Sequence, residues 1–360
     1  MNRPIYAQDD IKSRLLANGA SGTVYALVMP EVNEIISKIV DGHLDGAGAI
    51  MEGTAGTGRD RWHDRYMRPW ESRQDVAHQL YFETWEQWAK PVVGNGPQQF
   101  SSRYPTAGAS EGIMKILAEF RAEHDDQYAT YVHVFEGEYE GITSYAEAMN
   151  LYVIRHNRDD WRHVKNKGIM HGHGMNSRRH LFMLSQPSAI DGNIWADFNE
   201  FVEALNTVAP KLRIVPDLTY VGATRDTFSI NLDSPNIPAF VMSQSKPFGV
   251  YYHRIGGVYS RQPMSTLIGN VWFKNLLSLD IGIEVMRAFH VYELPRTYSD
   301  ASKKAFKHVE KTMELENARH SDVFLLASAT TQPGYESLDR ENSGRMRICL
   351  TPTMSEFVNK

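Results

Sequence analysis

From about residue 110 to residue 261, short apolar runs rich in β-branched and aromatic residues alternate with longer stretches of helical period. No other feature of the chain constrains its fold as strongly, because such alternation is the signature of βαβ units and a mainly parallel sheet. The strand candidates are Tyr131 to Phe135, Leu151 to His156, Leu181 to Ser185, Leu212 to Val215, Phe240 to Ser243 and Gly257 to Ser260. A helix over Glu111 to His124 places Ile113, Ile116, Leu117 and Phe120 on one face, and one over Asp197 to Val208 does the same with Phe198, Phe201, Val202 and Leu205. Both stripes are wide enough to cover a sheet. Outside this block, residues 22–41 and 303–319 read as helices, and the two chain ends are expected to build a smaller second domain. The polar, basic stretch 157–180 reads as a surface connection. No internal repeat of solenoid period is present.

Composition narrows the function. With 42% hydrophobic and 22% charged residues in 360, the chain is an ordinary globular protein of two domains, or of one large domain with an appendage. Lys and Arg number 38 against 43 Asp and Glu, for a net charge of -5 and a pI near 6.3, so no basic field exists to hold nucleic acid. The single cysteine, Cys349, excludes an intramolecular disulfide and a cysteine-based zinc site. The N-terminus lacks an apolar core of signal-peptide length, so a reducing, cytoplasmic setting is expected. No apolar run reaches 18 residues, and no segment is expected to span a bilayer.

Two motifs are decoys. Gly53-Thr-Ala-Gly-Thr-Gly58-Arg59-Asp60 resembles a phosphate-binding loop, but it lacks the Lys-Ser/Thr pair and a preceding hydrophobic strand, and reads as a flexible glycine loop. His171 and His173, with His163 and His180 nearby, have no carboxylates or cysteines at ligand spacing, so no metal site is expected.

Three segments carry chemistry. Ser243-Gln-Ser-Lys246-Pro-Phe-Gly249 follows the apolar run AFVM and precedes Arg254. Hydroxyls, tight backbone and an arginine around one lysine suit an anion together with an amine nucleophile, since a lysine near a phosphate and a partly dry wall can lose its proton and attack a carbonyl. Asp217-Leu-Thr-Tyr220-Val-Gly222 closes the run LRIVP, placing an acid at the carboxyl end of a parallel strand, where open α/β sheets bind ligands; an aspartate there also serves as a helix cap. Thr106-Ala-Gly108-Ala109-Ser110-Glu111-Gly112 opens a helix, and small residues there leave backbone N–H groups free to grip a phosphate.

In this order the three segments resemble the fold type I pyridoxal-phosphate enzymes, specifically the class I/II aminotransferases. Lys246-x-Phe248-Gly249-x-Tyr251-x-x-Arg254-x-Gly256 is similar in type and spacing to the segment that carries the Schiff-base lysine and phosphate-binding arginine of aspartate aminotransferases. The resemblance covers residues 104–260 and, more loosely, 340–352; the first hundred residues contribute almost nothing. It implies an α/β fold in which a large domain with a mostly parallel mixed sheet is joined by a small α/β domain from the chain ends. Residues 1–50 would form the N-terminal arm and part of the small domain, 51–275 the large cofactor-binding domain, and 276–360 the rest of the small domain.

The same resemblance implies pyridoxal 5'-phosphate as cofactor and assigns roles. Lys246 would be the Schiff-base lysine and the acid and base of the proton shift. Asp217 would pair with the pyridine nitrogen and keep it protonated, making the ring an electron sink. Tyr220 would bond the phenolic oxygen, and Tyr139 would stack on the ring. Ala109, Ser110, Ser243, Ser245 and Arg254 would form the phosphate cup, Arg254 supplying a bidentate guanidinium. In Ser343-Gly-Arg345-Met-Arg347-Ile-Cys-Leu350, either arginine could clamp the substrate carboxylate, because residues two apart on a strand face one side; Arg347 is the preferred choice. Where family members carry Asn-Pro-x-Gly, this chain reads Ser185-Gln186-Pro187-Ser188-Ala-Ile-Asp191-Gly192, leaving Gln186 or Ser188 to supply the asparagine's hydrogen bond. The implied partners are an amino acid and a keto acid, with a homodimer that places the site at the subunit interface and lets Trp62 or Tyr66 touch the partner's cofactor. The implied activity is transamination. The altered Gln-Pro-Ser segment motivates an alternative, a lyase, cyclase or oxidase using the same carbanion, and a further alternative is a non-catalytic, cofactor-binding regulatory homologue.

Overall fold

The computed structural model describes residues 9–41, 74–124, 129–162, 179–339 and 343–358. Its centre is a seven-stranded sheet built from β1 (Ser102–Thr106), β2 (Tyr131–Phe135), β3 (Tyr152–His156), β4 (His180–Ser185), β5 (Arg213–Asp217), β6 (Ala239–Ser243) and β7 (Gly256–Ser260), in the order β1-β7-β6-β5-β4-β2-β3. β7 pairs antiparallel with both β1 and β6, and the other pairings are parallel. Six strands therefore point the same way and deliver their carboxyl ends to one edge. The sheet is the mixed, mostly parallel one expected, and it is α/β in class.

Strand periodicity sends alternate residues to opposite faces. On one face, Val132, Val134, Leu181, Met183, Val215, Val241 and Val258 meet α4 (Ala109–Ala122) and α5 (Glu140–Ala148) through Ile113, Ile116, Leu117, Phe120 and Ile142. On the other, Phe135, Phe182, Ile214, Phe240 and Tyr259 meet α3 (Gln74–Val93) and α6 (Phe198–Val208). Trp85 of α3 lies 5.7 Å from the Phe240 ring and 5.3 Å from Tyr259; Phe201 of α6 lies 5.1 Å from Phe182. Each large side chain so buried contributes roughly 1.5–3 kcal/mol.

The remaining elements are α1 (Asp9–Ala17), α2 (Pro30–Val40), α7 (Ile268–Trp272), α8 (Leu276–Ala288), α9 (Glu293–Thr297), α10 (Ser299–Thr312), α11 (Thr351–Val358) and a three-stranded antiparallel sheet, β10-β9-β8, from β8 (Arg319–His320), β9 (Leu326–Thr330) and β10 (Arg345–Cys349). Ser21 bridges Cys349, so the two chain ends meet. α8 packs on α2 and α3 and links this group to the large sheet.

Two helix expectations need correction. Residues 22–41 are helical only over Pro30–Val40. Proline is favoured in a first turn, and residues 22–29 are drawn out against the large sheet's loops instead. The second helix is Ser299–Thr312, not 303–319; Glu314 and Asn317 adopt φ of 49° and 50°, which ends it. The glycine loop 53–60, Trp62, Tyr66, His163, His171 and His173 lie outside the described residues. No described helix is long and apolar enough to cross a membrane.

His180 opens β4 and joins a buried row: His156 Nε2 lies 2.9 Å from His133 Nδ1, and His133 Nε2 lies 2.9 Å from His180 Nδ1. Among the described residues no group of three or more metal-ligating side chains could hold a metal. Burial lowers His156 to about 4, and it does the same for His78 and His320. An unfolded histidine titrates near 6.5, so as the pH falls from about 6.5 toward 4 the unfolded chain takes up protons that the folded chain refuses, and stability is lost across that window. The melting temperature is expected to be several degrees lower at pH 5 than at pH 7, and scanning calorimetry at fixed ionic strength checks it; His156→Gln should flatten the dependence.

Candidate active site

The carboxyl ends of β4, β5 and β6 converge with the loops after β1 and β2. β5 ends at Asp217, which is buried and held by its own turn: Thr219 N and Oγ1 donate to Asp217 Oδ1 at 3.0 and 2.5 Å. Burial raises Asp217 to about 6, opposed by the Thr219 hydrogen bonds and aided by the Glu138 carboxylate. Tyr220 follows in the same turn and is buried.

β6 ends at Ser243, and Lys246 lies three residues on, 8% exposed. Its Nζ donates to the Val24 carbonyl and sits 4.9 Å from the centre of the Tyr251 ring. Burial, reinforced by the charges of Arg347 and Arg254, lowers the amine to about 8. Residue 249 must be glycine: its φ is +70°, and a Cβ would stand 2.0 Å from the Leu27 carbonyl oxygen. That close approach lays residues 24–27 over the lysine.

Arg254 adopts φ 53° and turns its guanidinium across the start of α4, where Nη2 donates to the Ala107 carbonyl at 2.8 Å. Gly108 and Gly256 permit the approach. A Cβ on Gly108 would meet Arg254 Nη2 at 2.6 Å, and one on Gly256 would meet Gly108 Cα at 2.7 Å. Gly108 caps α4 without a side chain, so the amides around Ala109 and Ser110 have no side-chain cap. Ser243 Oγ donates to the Ile255 carbonyl at 3.2 Å and accepts from Ser245 N at 3.2 Å. Ser245 Oγ is buried with no hydrogen-bond partner. A buried hydroxyl seldom stays unpaired, and this one, next in sequence to Lys246, is free to bond a phosphate.

Tyr139 lies across from these groups, its hydroxyl 3.0 Å from Ser110 Oγ, and burial raises it above the usual phenol range. The structure separates the two candidate carboxylate clamps. Arg347 is buried, donates through Nη1 to the Ala189 carbonyl and leaves Nε unpaired. Arg345 is exposed and engaged by acids, 3.1 Å from Asp159 and 3.7 Å from Asp191. Gln186 is occupied elsewhere: its amide donates to the Trp195 carbonyl at 3.1 Å and accepts from Trp195 N at 3.2 Å. Ser188 Oγ accepts from Arg158 Nη1 at 2.9 Å.

Arg347 and Arg254 both act electrostatically on Lys246, and among the described residues none of the three has a carboxylate partner. Three buried or half-buried cations with no counter-ion among the described residues suit an anionic ligand. Sequence reasoning missed two contributors. Glu138 was legible only as a neighbour of Tyr139, and the Val24 carbonyl gave no signal, because backbone atoms carry no residue identity.

No protein-family model matches the sequence, and no curated protein matches it. Solved structures do match. The chain is similar to a pyridoxal-phosphate-bound C-S lyase from Staphylococcus hominis, at 14% identity over 98% of this chain and 89% of that one, with a TM-score of 0.64. It is similar to a tetra mutant of Thermus thermophilus aspartate aminotransferase, at 13% identity over 94% of each chain and a TM-score of 0.61. An aminotransferase from Staphylococcus aureus matches at 13% identity over 94% of this chain and 92% of that one, with a TM-score of 0.59. Together with the sheet order and the lysine-bearing edge, these likenesses define the chain as having the fold type I architecture of pyridoxal-phosphate enzymes. Within it, the chain is similar to aminotransferases and to a lyase alike.

Proposed function

We propose that this protein is a pyridoxal-phosphate-dependent aminotransferase acting on an amino acid. The observation that carries the reading is the set Lys246, Arg254 and Arg347, which have no carboxylate partner among the described residues, with Asp217 buried at the adjacent strand end. When bound, the cofactor would supply an aldehyde carbon for amine capture and a ring that accepts the electron pair left when the substrate's Cα–H bond breaks. Arg254, Ser110, Ser245 and the Ala109 amide would hold its phosphate, and Ser243, whose hydroxyl bonds the Ile255 carbonyl in this structure, would turn to join them. Asp217 would pair with the ring nitrogen, Tyr220 would bond the phenolic oxygen and Tyr139 would stack on the ring. Lys246 would anchor the aldehyde carbon, and its Nζ would move the Cα proton, a task suited to an amine already lowered to about 8.

Arg347 orients the substrate carboxylate, since its unpaired Nε is the free half of a fork that matches a carboxylate. Arg345, already paired with acids at the surface, contributes little. Arg347→Ala is therefore expected to raise KM for the amino acid by about 10-fold or more, the worth of a charged hydrogen bond, and Arg345→Ala to change it less than about 2-fold. Steady-state kinetics on both variants check this, and equal effects would sink the assignment.

A homodimer belongs to the proposal. Tyr252, Ile268, Trp272 and Phe273 are 60–89% exposed, and Asn270 of α7 bonds the Pro105 carbonyl beside the phosphate end. A second copy covering these rings would close the site. The buried free thiol of Cys349 suits a reducing, cytoplasmic setting, and domain limits at residues 50 and 275 accompany the reading. A lyase, cyclase or oxidase is the second reading, supported by the turning of Gln186 to the Trp195 backbone. Adding pyridoxal phosphate, reducing with borohydride and mapping the modified peptide tests the core: covalent cofactor on Lys246 is expected, and none on that peptide overturns it. Keto acid formed only with an amino acceptor separates transamination from the second reading.

A further inference from the structure

One arginine grips the turn after β4 at both its ends. Ser188 N donates to the Asn193 carbonyl at 2.8 Å and Gly192 N to the Ser188 carbonyl at 2.9 Å, closing a tight loop. Arg158, just beyond β3, reaches across that loop: Nη1 donates to Ser188 Oγ at 2.9 Å, and Nη2 donates to Asp191 Oδ2 at 2.6 Å. Both side chains are little exposed, 12% for Arg158 and 5% for Asp191. Burial disfavours the Asp191 charge, but Arg158 and the Asn193 amide hold its carboxyl below the usual range. Ala189 lies between the two gripped ends, and its carbonyl accepts from Arg347 Nη1. The turn also rests on the segment that carries the smaller sheet. Ser321 Oγ donates to the Asp191 carbonyl at 2.6 Å and Val323 N to the Gly192 carbonyl at 2.9 Å. A Cβ on Gly192, whose φ is 74°, would stand 2.9 Å from Leu326 Cδ1.

We infer that Arg158 and Asp191 are positioning residues for Arg347: by fixing the 188–192 turn they set where its guanidinium stands, and so how well the site takes a carboxylate. The inference rests on the carboxylate-binding role proposed for Arg347. The Ala189 carbonyl is the one hydrogen-bond partner of Arg347 among the described residues, and Arg347 Nε has none, so that carbonyl orients the fork. A backbone carbonyl stands where its turn stands. This turn is held by an ion pair with little access to water, and removing one partner there leaves the other's charge buried and unpaired. Arg345 does not share the task. It is 47% exposed, and its Nη1 lies 3.7 Å from Asp191 Oδ2, beyond hydrogen-bond distance. A plain amine makes no use of the arrangement, so the pair favours amino acids over amines that lack a carboxylate.

The test uses the full chain loaded with pyridoxal phosphate, and propionate, a carboxylate without an amine, as the probe, its binding followed by ligand-observed proton NMR. Asp191→Asn keeps the shape and removes one charge of the pair. It is expected to weaken propionate binding about 5-fold or more, within the range for coupled neighbours, and to leave pyridoxal phosphate affinity within about 2-fold. Arg158→Gln should act in the same direction, and it serves alone if Asp191→Asn does not fold. Arg347→Ala should weaken propionate at least as much, and adding Asp191→Asn to it should cost nothing further, because the pair acts through Arg347. In turnover, the loss should appear in KM for the amino acid and not in kcat. Unchanged propionate affinity in Asp191→Asn or Arg158→Gln overturns the inference. So do additive losses in the double variant, or a loss of propionate affinity matched by an equal loss of cofactor affinity, which is what a general packing role would give. A wild type that binds no propionate, or binds it as well after Arg347→Ala, overturns the carboxylate assignment of Arg347 and the inference with it. Failure of the wild type to bind pyridoxal phosphate overturns the underlying reading, and the wild-type absorption spectrum alone tells that result apart from the others.

Discussion

Replacement of Lys246 by Ala is expected to lower turnover by at least about 10⁴-fold, because under the proposed function one amine would supply both the cofactor's anchor and the proton transfer at Cα, and positioned acid–base groups alone are worth about 10²–10⁴. Lys246→Arg should do no better: it preserves the charge but holds its proton above pH 12. Small primary amines in the buffer should restore part of the rate to the alanine variant and none to the arginine variant. The wild type adds a pH signature. With the amine at about 8, the neutral, nucleophilic fraction increases as pH rises, so capture of pyridoxal phosphate by the cofactor-free chain should speed up about tenfold between pH 7 and pH 9. Stopped-flow absorbance measures both effects. Retention of more than a hundredth of wild-type turnover by Lys246→Ala would remove the lysine from the chemistry.

Asp217→Asn comes next in size. The substitution keeps a side-chain oxygen for Thr219 but removes the charge proposed to hold a proton on the ring nitrogen. Cofactor affinity should fall by about 10-fold or more, the worth of a hydrogen bond between charged groups, and turnover by about 10³-fold, in line with loss of a preorganised electrostatic contact. Asp217→Glu keeps the charge and should recover part of both. Comparable turnover in Asp217→Asn and wild type, measured at saturating cofactor, would show that the ring nitrogen has some other partner.

The large sheet was legible because its signal is local. Tyr131 to Phe135 emerges with the boundaries read from its apolar run, and the other five candidates lie within two residues of theirs at each end. β1 was not foreseen. Its sequence, Ser-Arg-Tyr-Pro-Thr, carries a proline, which suits only an edge, and β1 is indeed the sheet's outer strand beside β7. α3 was hidden in a similar way, since aromatic residues such as Tyr81, Phe82 and Trp85 on one helix become core only against Phe240 and Tyr259.

For the candidate site, sequence and structure divide the work between them. Residue types and short spacings, with the family resemblance they carry, nominated Lys246, Asp217, Tyr220, Arg254 and the serines, because each lies on one strand end or helix start. Only the tertiary structure separated buried Arg347 from Arg345, which face one side of β10 and differ in what other segments bring to them, the Ala189 carbonyl in one case and Asp159 with Asp191 in the other. Only it turned Gln186 toward Trp195, laid the Val24 carbonyl on Lys246 and brought Glu138 onto Ser185, the residue paired with Asp217. Periodicity and spacing act over a few residues along the chain, whereas burial and charge depend on atoms drawn from segments tens to hundreds of residues apart; sheet order, not local pattern, determines those neighbours.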